Sequence, residues 1–181
     1  MIKFELVSKY EGQEDLMPVR GTKGSAGYDL KCAEDMVIPS HIFAINSYLM
    51  GQQHPIKPMT IDELKEEKTL KKLGIAPILV PTGVKAIFDN DIYGAVESRS
   101  GIPMSTLLIV SNGEGVIDSD YSEAKNEGHI HVQFINLSPF PIQLKRGDRI
   151  AQLLFKPIKF AENDTYLNEN RVGGFNSTGH K

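Results

Sequence analysis

Short runs of β-branched and aromatic residues, each ended by glycine or proline, recur along most of the chain. Runs of this length suit strands, and glycine and proline mark the turns between them. The pattern predicts an all-β fold of short strands. The clearest predicted strands are Ile2–Val7, Ile78–Val80, Val84–Phe88, Tyr93–Glu97, Thr106–Val110, His129–Ile135, Ile142–Leu144 and Ile150–Phe155.

One region, at about residues 41–76, interrupts this strand pattern. Thr60 and Glu63 have the spacing of a capping box, in which two side chains satisfy backbone N–H groups at the start of a helix. Helix-forming residues follow, and Gly74 suits the position after a helix end. The sequence therefore predicts one helix after Thr60, preceded by residues 41–58 without regular structure. Because the apolar positions of that helix do not share one face, we expect a surface insertion.

Size and charge limit the class of protein. The 181 residues, 40% of them hydrophobic, are enough for one domain with its own core. A net charge of −3 argues against a nucleic-acid polymer as partner, whereas a small phosphorylated ligand needs only a few local cations. Cys32 is the single cysteine, so no intrachain disulfide forms. No signal segment or membrane-length apolar run is present in the sequence, and we expect a cytoplasmic protein without membrane association.

The heptad Gly115–Tyr121 is the first candidate for chemistry. Two β-branched residues lead directly into Asp118, and the preceding glycines, Gly113 and Gly115, allow a tight turn and a close approach of the backbone to a ligand. A carboxylate at the end of a rigid strand can act as a general base. Tyr121 could stack on a flat ligand or a sugar. Taken alone, the heptad is better explained as an ordinary strand end in which Asp118 caps a turn.

Five segments, in order, resemble the five motifs of the trimeric dUTPases, which are dUTP diphosphatases. They are Ala26–Leu30, Arg99–Gly101, Gly115–Tyr121, Arg146–Leu153 and Gly173–Gly179. The fourth segment, Arg-Gly-Asp-Arg-Ile-Ala-Gln-Leu, is the most specific, and the order and spacing of all five argue against coincidence. The resemblance extends from Ala26 to the C-terminus, apart from the insertion.

Three features depart from that family pattern. The insertion of residues 41–76 is absent from it. The family has a glycine soon after the tyrosine of the third motif, whereas residues 122–127 intervene here, which indicates a longer arm. In the tail, Arg171 lies one residue closer to Gly173 than in the family, and Asn176 replaces a glycine.

The resemblance implies a jelly-roll-like β-clip fold for residues 1–160 and a tail, residues 161–181, that closes over an active site. It implies a homotrimer with sites shared between subunits, and hydrolysis of dUTP to dUMP and pyrophosphate. Asp118 would activate a water molecule for attack on the α-phosphorus. Mg²⁺ would bind the triphosphate oxygens, and Asp29 would contact this metal through water.

The resemblance also implies the phosphate contacts. These are residues that offer a guanidinium, an amide, a hydroxyl or an accessible backbone N–H. They are Arg99, Ser100, Gly101, Gln152 and, from the tail, Arg171.

Recognition of deoxyuridine would come from the third motif and the tail. Asn112 and the backbone around Val116 and Ile117 would contact the uracil. Tyr121 would pack on the deoxyribose and so reject UTP. Phe175 would stack on the uracil when the tail closes.

Other interpretations stay open at this point. A dCTP deaminase, or a bifunctional deaminase–diphosphatase, shares the fold but needs another acid and a different loop after Ser100. A non-catalytic binding or regulatory protein on this fold is a second alternative. The tripeptide Arg146–Asp148 also occurs in integrin ligands, although no secretion signal supports that role. His129 and His131 share one face of a predicted strand, but without further ligands we expect surface histidines rather than a metal site.

Overall fold

The computed structural model describes residues 1–52, 58–66 and 68–164. Most of its regular structure is strand, and each predicted strand is found within one or two residues of its expected bounds. The strands are β1 (Ile2–Leu6), β2 (Tyr28–Lys31), β3 (Met36–Ile38), β4 (Ile78–Pro81), β5 (Val84–Phe88), β6 (Ile92–Ser98), β7 (Leu108–Val110), β8 (Gly115–Ile117), β9 (His131–Asn136), β10 (Ile142–Leu144) and β11 (Arg149–Pro157). The helices are α1 (His41–Met50), α2 (Ile61–Glu66), α3 (Thr69–Lys72) and α4 (Gly101–Thr106).

The strands pair antiparallel in small sheets. A four-stranded sheet has the order β2-β11-β6-β8, and a three-stranded sheet has the order β4-β9-β7. Two further pairs are β1 with β5 and β3 with β10. The prediction of a mostly-β, jelly-roll-like fold is confirmed.

The hydrophobic core is shared by these sheets. In β5 the side chains alternate, so Val84, Ala86 and Phe88 are buried while the residues between them are more exposed. Leu153 of β11 and Phe134 of β9, which belong to different sheets, are both fully buried in the same cluster. Packing of the sheets on this one core holds β6, β8 and β11, the strands next to the candidate site, in fixed positions.

The insertion contains more helix than the sequence predicts. The capping box is confirmed: the Thr60 backbone N–H donates to Glu63 Oε2 at 2.7 Å, and the Glu63 N–H donates to Thr60 Oγ1 at 3.2 Å. Gly74 has φ of +68°, as expected after a helix end. The single predicted helix is wrong, however, because Lys68, with φ of +50°, separates α2 from α3.

The prediction of irregular structure over residues 41–58 is also wrong, because α1 occupies its first half. Ser40 caps this helix by accepting the Phe43 N–H at 3.1 Å. His41 is 1% exposed. Its Nδ1 accepts the Asn136 backbone N–H at 3.1 Å, and its Nε2 lies 3.0 Å from the carbonyl oxygen of Ala76. His41 thus joins the two ends of the insertion to β9, a long-range contact that local sequence does not reveal.

Helix α4, which the sequence does not predict, follows Arg99 and Ser100. Pro103 lies within the first turn of this helix, where its missing N–H costs nothing. Leu107, with φ of +55°, ends α4, and β7 begins one residue later.

Among the described ranges, no helix is long and apolar enough to cross a membrane. The predicted tail of residues 161–181 lies outside the described residues from position 165 onward, and so do Arg171 and Phe175.

Candidate active site

Three of the five motif segments meet in one pocket of about 610 Å³. The first contributes from the entry to β2, the second from the end of β6, and the fourth from β11, because β11 lies between β2 and β6 in the sheet. The lining residues include Gly27, Asp29, Arg99, Ser100, Gly101, Arg149 and Gln152. Segments more than 120 residues apart in the chain therefore build a single cavity with two guanidinium groups.

Asp29 holds both of these guanidinium groups. Its Oδ1 accepts from Arg99 Nε at 2.9 Å, and its Oδ2 accepts from Arg149 Nη1 at 3.1 Å. The Asp29 side chain is only 12% exposed, whereas the Arg149 side chain is 52% exposed. Arg99 Nη1 also donates to the Arg149 carbonyl oxygen at 3.2 Å. The acid thus fixes the direction of two cationic forks whose other N–H groups are suited to phosphate oxygens.

Gln152 reaches this pocket because Gly27 leaves room for it. A Cβ at position 27 would lie 2.8 Å from Gln152 Oε1, which is closer than atoms pack. Gln152 Nε2 donates to the Ser98 carbonyl oxygen at 3.2 Å, next to Arg99. Ser100 and Gly101 are exposed at the pocket mouth. The four predicted phosphate contacts in the described chain, Arg99, Ser100, Gly101 and Gln152, are therefore brought together.

Asp118 lies in a different cavity, of about 250 Å³, lined also by Tyr93, Asp120 and Phe160. It follows β8 directly and begins a 3₁₀ turn, Ser119–Glu123. In the register of β6 and β8, Ile117 lies opposite Gly94, so Asp118 lies beside Tyr93. Arg99 is six residues farther along β6, or about 20 Å at a strand rise of ~3.3 Å per residue. Within one chain, Asp118 and the arginine pocket are thus well separated.

The hairpin before Asp118 is held to the sheet by charge. Lys156 Nζ of β11 lies 2.6 Å from Glu97 Oε1 and also binds the Glu114 carboxylate at the hairpin. Tyr93 Oη donates to Glu114 Oε1 at 2.9 Å. These contacts raise the pKa of Lys156 and lower that of Glu114, chiefly through the hydrogen bond between them. These contacts join residues from separate strands and from the hairpin, so the sequence alone does not reveal them.

The predicted uracil contacts lie on this hairpin. Gly113 has φ of +71° and makes the tight turn. Asn112 is exposed and Val116 is 56% exposed, while Ile117 packs against the core. Strand β8 lies at the edge of its sheet, so its backbone near the exposed Val116 side chain can hydrogen-bond to a ligand beside Asp118.

A tyrosine that stacks on a sugar needs an accessible ring face, whereas Tyr121 is buried in this chain. The residue is 5% exposed, and its hydroxyl group donates to the His129 carbonyl oxygen at 3.0 Å. The Asn126 amide donates to that same hydroxyl at 2.8 Å. Contact between the tyrosine ring and deoxyribose therefore stays a prediction.

Comparisons with known proteins bear on the family of the chain. A sequence model of the family described as dUTPase matches residues 63–179. The deoxyuridine 5'-triphosphate nucleotidohydrolase of Lactococcus lactis is 32% identical over 178 residues, covering 97% of this chain and 96% of that protein. This chain belongs to the dUTPase family.

Solved dUTPases support that assignment at the level of structure. The crystal structure of dUTPase from Streptococcus mutans aligns with a TM-score of 0.66 and 31% identity, covering 88% of this chain and 98% of that one. A mutant dUTPase from phage phi11 of S. aureus, described with a structural Mg(II) ion, aligns with a TM-score of 0.58 and 19% identity, covering 93% and 97% of the two chains. The second likeness concerns the fold alone.

The described dUTPase motifs do not form a metal site of their own. Among the residues that the structure describes, no group of three or more His, Cys, Asp or Glu side chains is placed to hold a metal ion. Asp29 is the acid lining the arginine pocket, and each of its oxygens accepts a hydrogen bond from an arginine. Two adjacent cations do not suit a carboxylate that holds a metal directly. The side chains of the arginine pocket therefore do not suit Mg²⁺ that is bound directly by the protein.

Two patterns outside the dUTPase motifs also have structural explanations. Arg146 pairs with Asp15 at 2.7 Å, and the Asp148 carboxylate accepts the Lys145 N–H at 2.8 Å, so the integrin-like tripeptide forms the turn between β10 and β11. His129 and His131 are not surface histidines, which corrects that expectation. They are half-buried, with ring centroids 4.0 Å apart.

Arg149 is the clearest functional candidate that the sequence analysis did not single out. It lies inside the fourth motif, in the sequence Asp-Arg-Ile, but strict alternation along β11 would place its side chain on the face opposite to that of Gln152, three residues later. A register shift between Arg149 and Ala151 breaks that alternation, so simple period-two reasoning does not place the arginine side chain.

Proposed function

We propose that this dUTPase-family chain hydrolyses dUTP to dUMP and pyrophosphate. The observation that carries the proposal is the pocket in which Asp29 orients Arg99 and Arg149 beside Gln152. Guanidinium forks held by a buried acid are suited to a polyanionic triphosphate. The dUTP nucleotidohydrolase name of the Lactococcus lactis relative supports the choice of substrate.

We further propose that Asp118 is the general base. It would take a proton from a water molecule, whose oxygen forms a new bond to the α-phosphorus. The bond from the α-phosphorus to the bridging oxygen then breaks, and the electron pair leaves with pyrophosphate. Such a reaction depends on positioning and charge stabilisation more than on covalent work by the protein. Arg99, Ser100, Gly101 and Gln152 would bind the phosphates, with Arg171 added by the tail.

A complete site on this proposal needs more than one subunit. A base and a phosphate-binding arginine must both lie within hydrogen-bond reach of one triphosphate, whereas Asp118 and Arg99 are about 20 Å apart along β6. We therefore propose that Asp118 of one subunit faces the arginine pocket of another, in the homotrimer that the resemblance to the trimeric dUTPases implies. The tail, residues 161–181, would close this shared site with Phe175 on the uracil.

Recognition of the base is proposed for the hairpin that precedes Asp118. Its backbone around Val116 and Ile117, together with Asn112, would read the edge of the uracil. The Lys156–Glu114 contact supports this role because it fixes the hairpin to β11. Tyr121 would form the wall that excludes a ribose hydroxyl.

Mg²⁺ is proposed as an ion that arrives on the triphosphate, where it would neutralise phosphate charge. A contact from Asp29 through water stays part of this proposal. A cytoplasmic location is likewise proposed, and the single cysteine, buried Cys32, is compatible with it.

The decisive experiment is incubation of the purified protein with dUTP, UTP or dCTP, followed by assays for pyrophosphate and ammonia. We expect pyrophosphate and dUMP from dUTP, little product from UTP, and no ammonia from dCTP. Asp118→Asn should reduce kcat by ~10²- to 10⁴-fold, as expected for loss of a general base. Glu123→Gln, an exposed change at the end of the same turn, is the matched control. Ammonia from dCTP would instead support a deaminase, and substrate binding without turnover would support a regulatory protein.

A further inference from the structure

The arm of residues 122–128 folds back onto the third motif. Residues 122–127 of this arm are additional to the compact family pattern, and Gly128 is the glycine that follows them. The Ala124 N–H donates to the Tyr121 carbonyl oxygen at 3.1 Å, and the Glu127 N–H donates to the Ala124 carbonyl oxygen at 2.8 Å. Ala124 is 4% exposed. These successive tight turns make the arm a compact element rather than an extended loop.

The arm ends against the peptide that joins Tyr121 to Ser122. Gly128 has φ of +70°, and a Cβ there would lie 2.6 Å from Ser122 Cα and 2.8 Å from the Tyr121 carbonyl oxygen. Both the backbone conformation and the contact require glycine. The backbone at position 128 is therefore packed directly on the motif.

The arm is attached at its other side to the N-terminal segment. The Ser8 N–H donates to Glu127 Oε2 at 3.0 Å, and the Ser8 hydroxyl group also donates to this carboxylate. These hydrogen bonds lower the pKa of Glu127. The arm is thus held between Ser8 and the third motif.

The arm holds the Tyr121 side chain by a hydrogen bond from Asn126. Asn126 Nδ2 donates to Tyr121 Oη at 2.8 Å, while that hydroxyl donates to the His129 carbonyl oxygen at 3.0 Å. The Tyr121 N–H in turn donates to the Asp118 carbonyl oxygen at 3.1 Å. A change at Asn126 is therefore transmitted through a nearly buried ring to the turn that begins with Asp118.

We propose that Asn126 is a positioning residue, and that the arm fixes Tyr121 and thereby the Asp118 carboxylate. The inference rests on the proposed dUTP hydrolysis. Loss of the Asn126 donor lowers kcat for dUTP more than it changes KM, because the base is misplaced while the arginine pocket is intact. It also lowers the preference for dUTP over UTP, because the tyrosine wall is less rigid.

The test uses the full chain with Asn126→Asp, which keeps the size and the acceptor of the side chain but removes the N–H donor. We expect kcat for dUTP to fall on the order of 10-fold, the effect of one lost hydrogen bond. Lys125→Ala, an exposed change one residue away, is the matched control and should retain full activity. Thermal unfolding of each variant shows whether the fold is kept.

A double-mutant cycle with Tyr121→Phe separates positioning from general destabilisation. If Asn126 acts through the tyrosine hydroxyl, Asn126→Asp has little further effect on kcat in the Tyr121→Phe background. Additive effects, or an Asn126→Asp enzyme with the kcat and the dUTP-to-UTP preference of Lys125→Ala, overturn the inference. Because wild-type turnover of dUTP is measured in the same assay, failure of the proposed function is distinguished from failure of this inference. Asn126→Ala provides the same cycle if the aspartate variant does not fold.

Discussion

Asp29 gives the arginine pocket its geometry, since one buried carboxylate accepts from both Arg99 and Arg149. Asp29→Asn removes the charge and places an N–H₂ group against one guanidinium. We expect kcat/KM for dUTP to fall by about 10- to 100-fold, because hydrogen bonds between charged groups contribute ~1.5–3 kcal/mol.

The same variant distinguishes an arginine-orienting role from a metal-binding role. If Asp29 mainly orients the two arginines, raising the Mg²⁺ concentration does not restore kcat/KM. Asp62→Asn, at an exposed site in the insertion, is the control for loss of one negative charge. Full recovery of Asp29→Asn at high Mg²⁺ would show that the carboxylate serves the metal instead.

His129 makes stability depend on pH. Its Nε2 accepts the Gly83 N–H at 2.9 Å, and burial, with smaller contributions from His131 and Lys9, lowers its pKa from 6.5 to about 4. Glu34 and Glu127 act in the opposite direction. Between pH 6.5 and 4 the unfolded chain binds a proton that the native state does not, so stability falls as the pH falls.

We expect the free energy of unfolding to drop by about 2 kcal/mol from this group between pH 8 and pH 5. His129→Gln, which retains an acceptor for Gly83 but does not titrate, should remove that part of the pH dependence. Urea unfolding at fixed protein concentration measures it. An equal pH dependence in both proteins would contradict the assignment to His129.

Single residues show where sequence reasoning stops. Asp118, Arg99 and Gln152 could be selected because each lies in a short motif. The hydrogen bonds that Arg99 and Arg149 donate to Asp29 could not be predicted, since these arginines lie 70 and 120 residues away from it in the sequence. His129 and His131 were expected at the surface. Strand alternation shows that the two side chains share one face of the strand, but it does not show which other residues pack on that face.

Among the elements, strands were more predictable than helices. The alternation in β5 and the apolar runs of β4 and β10 depend on neighbours in the sequence, and their bounds agree with the structure. Helix α1 was not predicted because its position depends on His41, which accepts a hydrogen bond from the Asn136 backbone in β9. The break at Lys68 divides a segment in which every local preference favoured one helix.

The insertion can be removed in two ways that differ only in whether His41 and Ala76 are kept. Replacing residues 42–75 by a short glycine-serine linker keeps His41 and Ala76, whereas replacing residues 41–76 removes them. We expect both variants to retain most dUTP hydrolysis, because no predicted site residue lies in the insertion and loop length costs little. The second should be less stable by about 1–3 kcal/mol, because the buried Asn136 N–H loses its acceptor.

Urea unfolding of the two deletion variants measures this difference, and turnover of dUTP measures the role of the insertion. Equal stability would show that the hydrogen bonds of His41 to Asn136 and Ala76 do not stabilise the fold. A folded variant that binds dUTP without hydrolysing it would place the insertion in the active site.

At the scale of the whole molecule, the order of strands in one sheet separates the proposed base from the phosphate pocket. Pairing of β6 with β8 puts Asp118 at one end of β6, and Arg99 follows the other end. The sequence could indicate that both residues serve one reaction, but not how far apart one chain holds them. That distance depends on strand register, which here leads to the proposal of a site shared between subunits.

Complementation between two inactive variants tests this central claim most directly. Asp118→Asn keeps the arginine pocket, and Arg99→Ala keeps the base; neither homo-oligomer should turn over dUTP efficiently. After co-refolding at equal amounts, we predict recovery of about one quarter of the wild-type sites, the fraction in which random mixing joins an intact pocket to an intact Asp118. If mass measurement shows that the subunits have mixed and pyrophosphate release stays at the level of the separate variants, the shared site is contradicted.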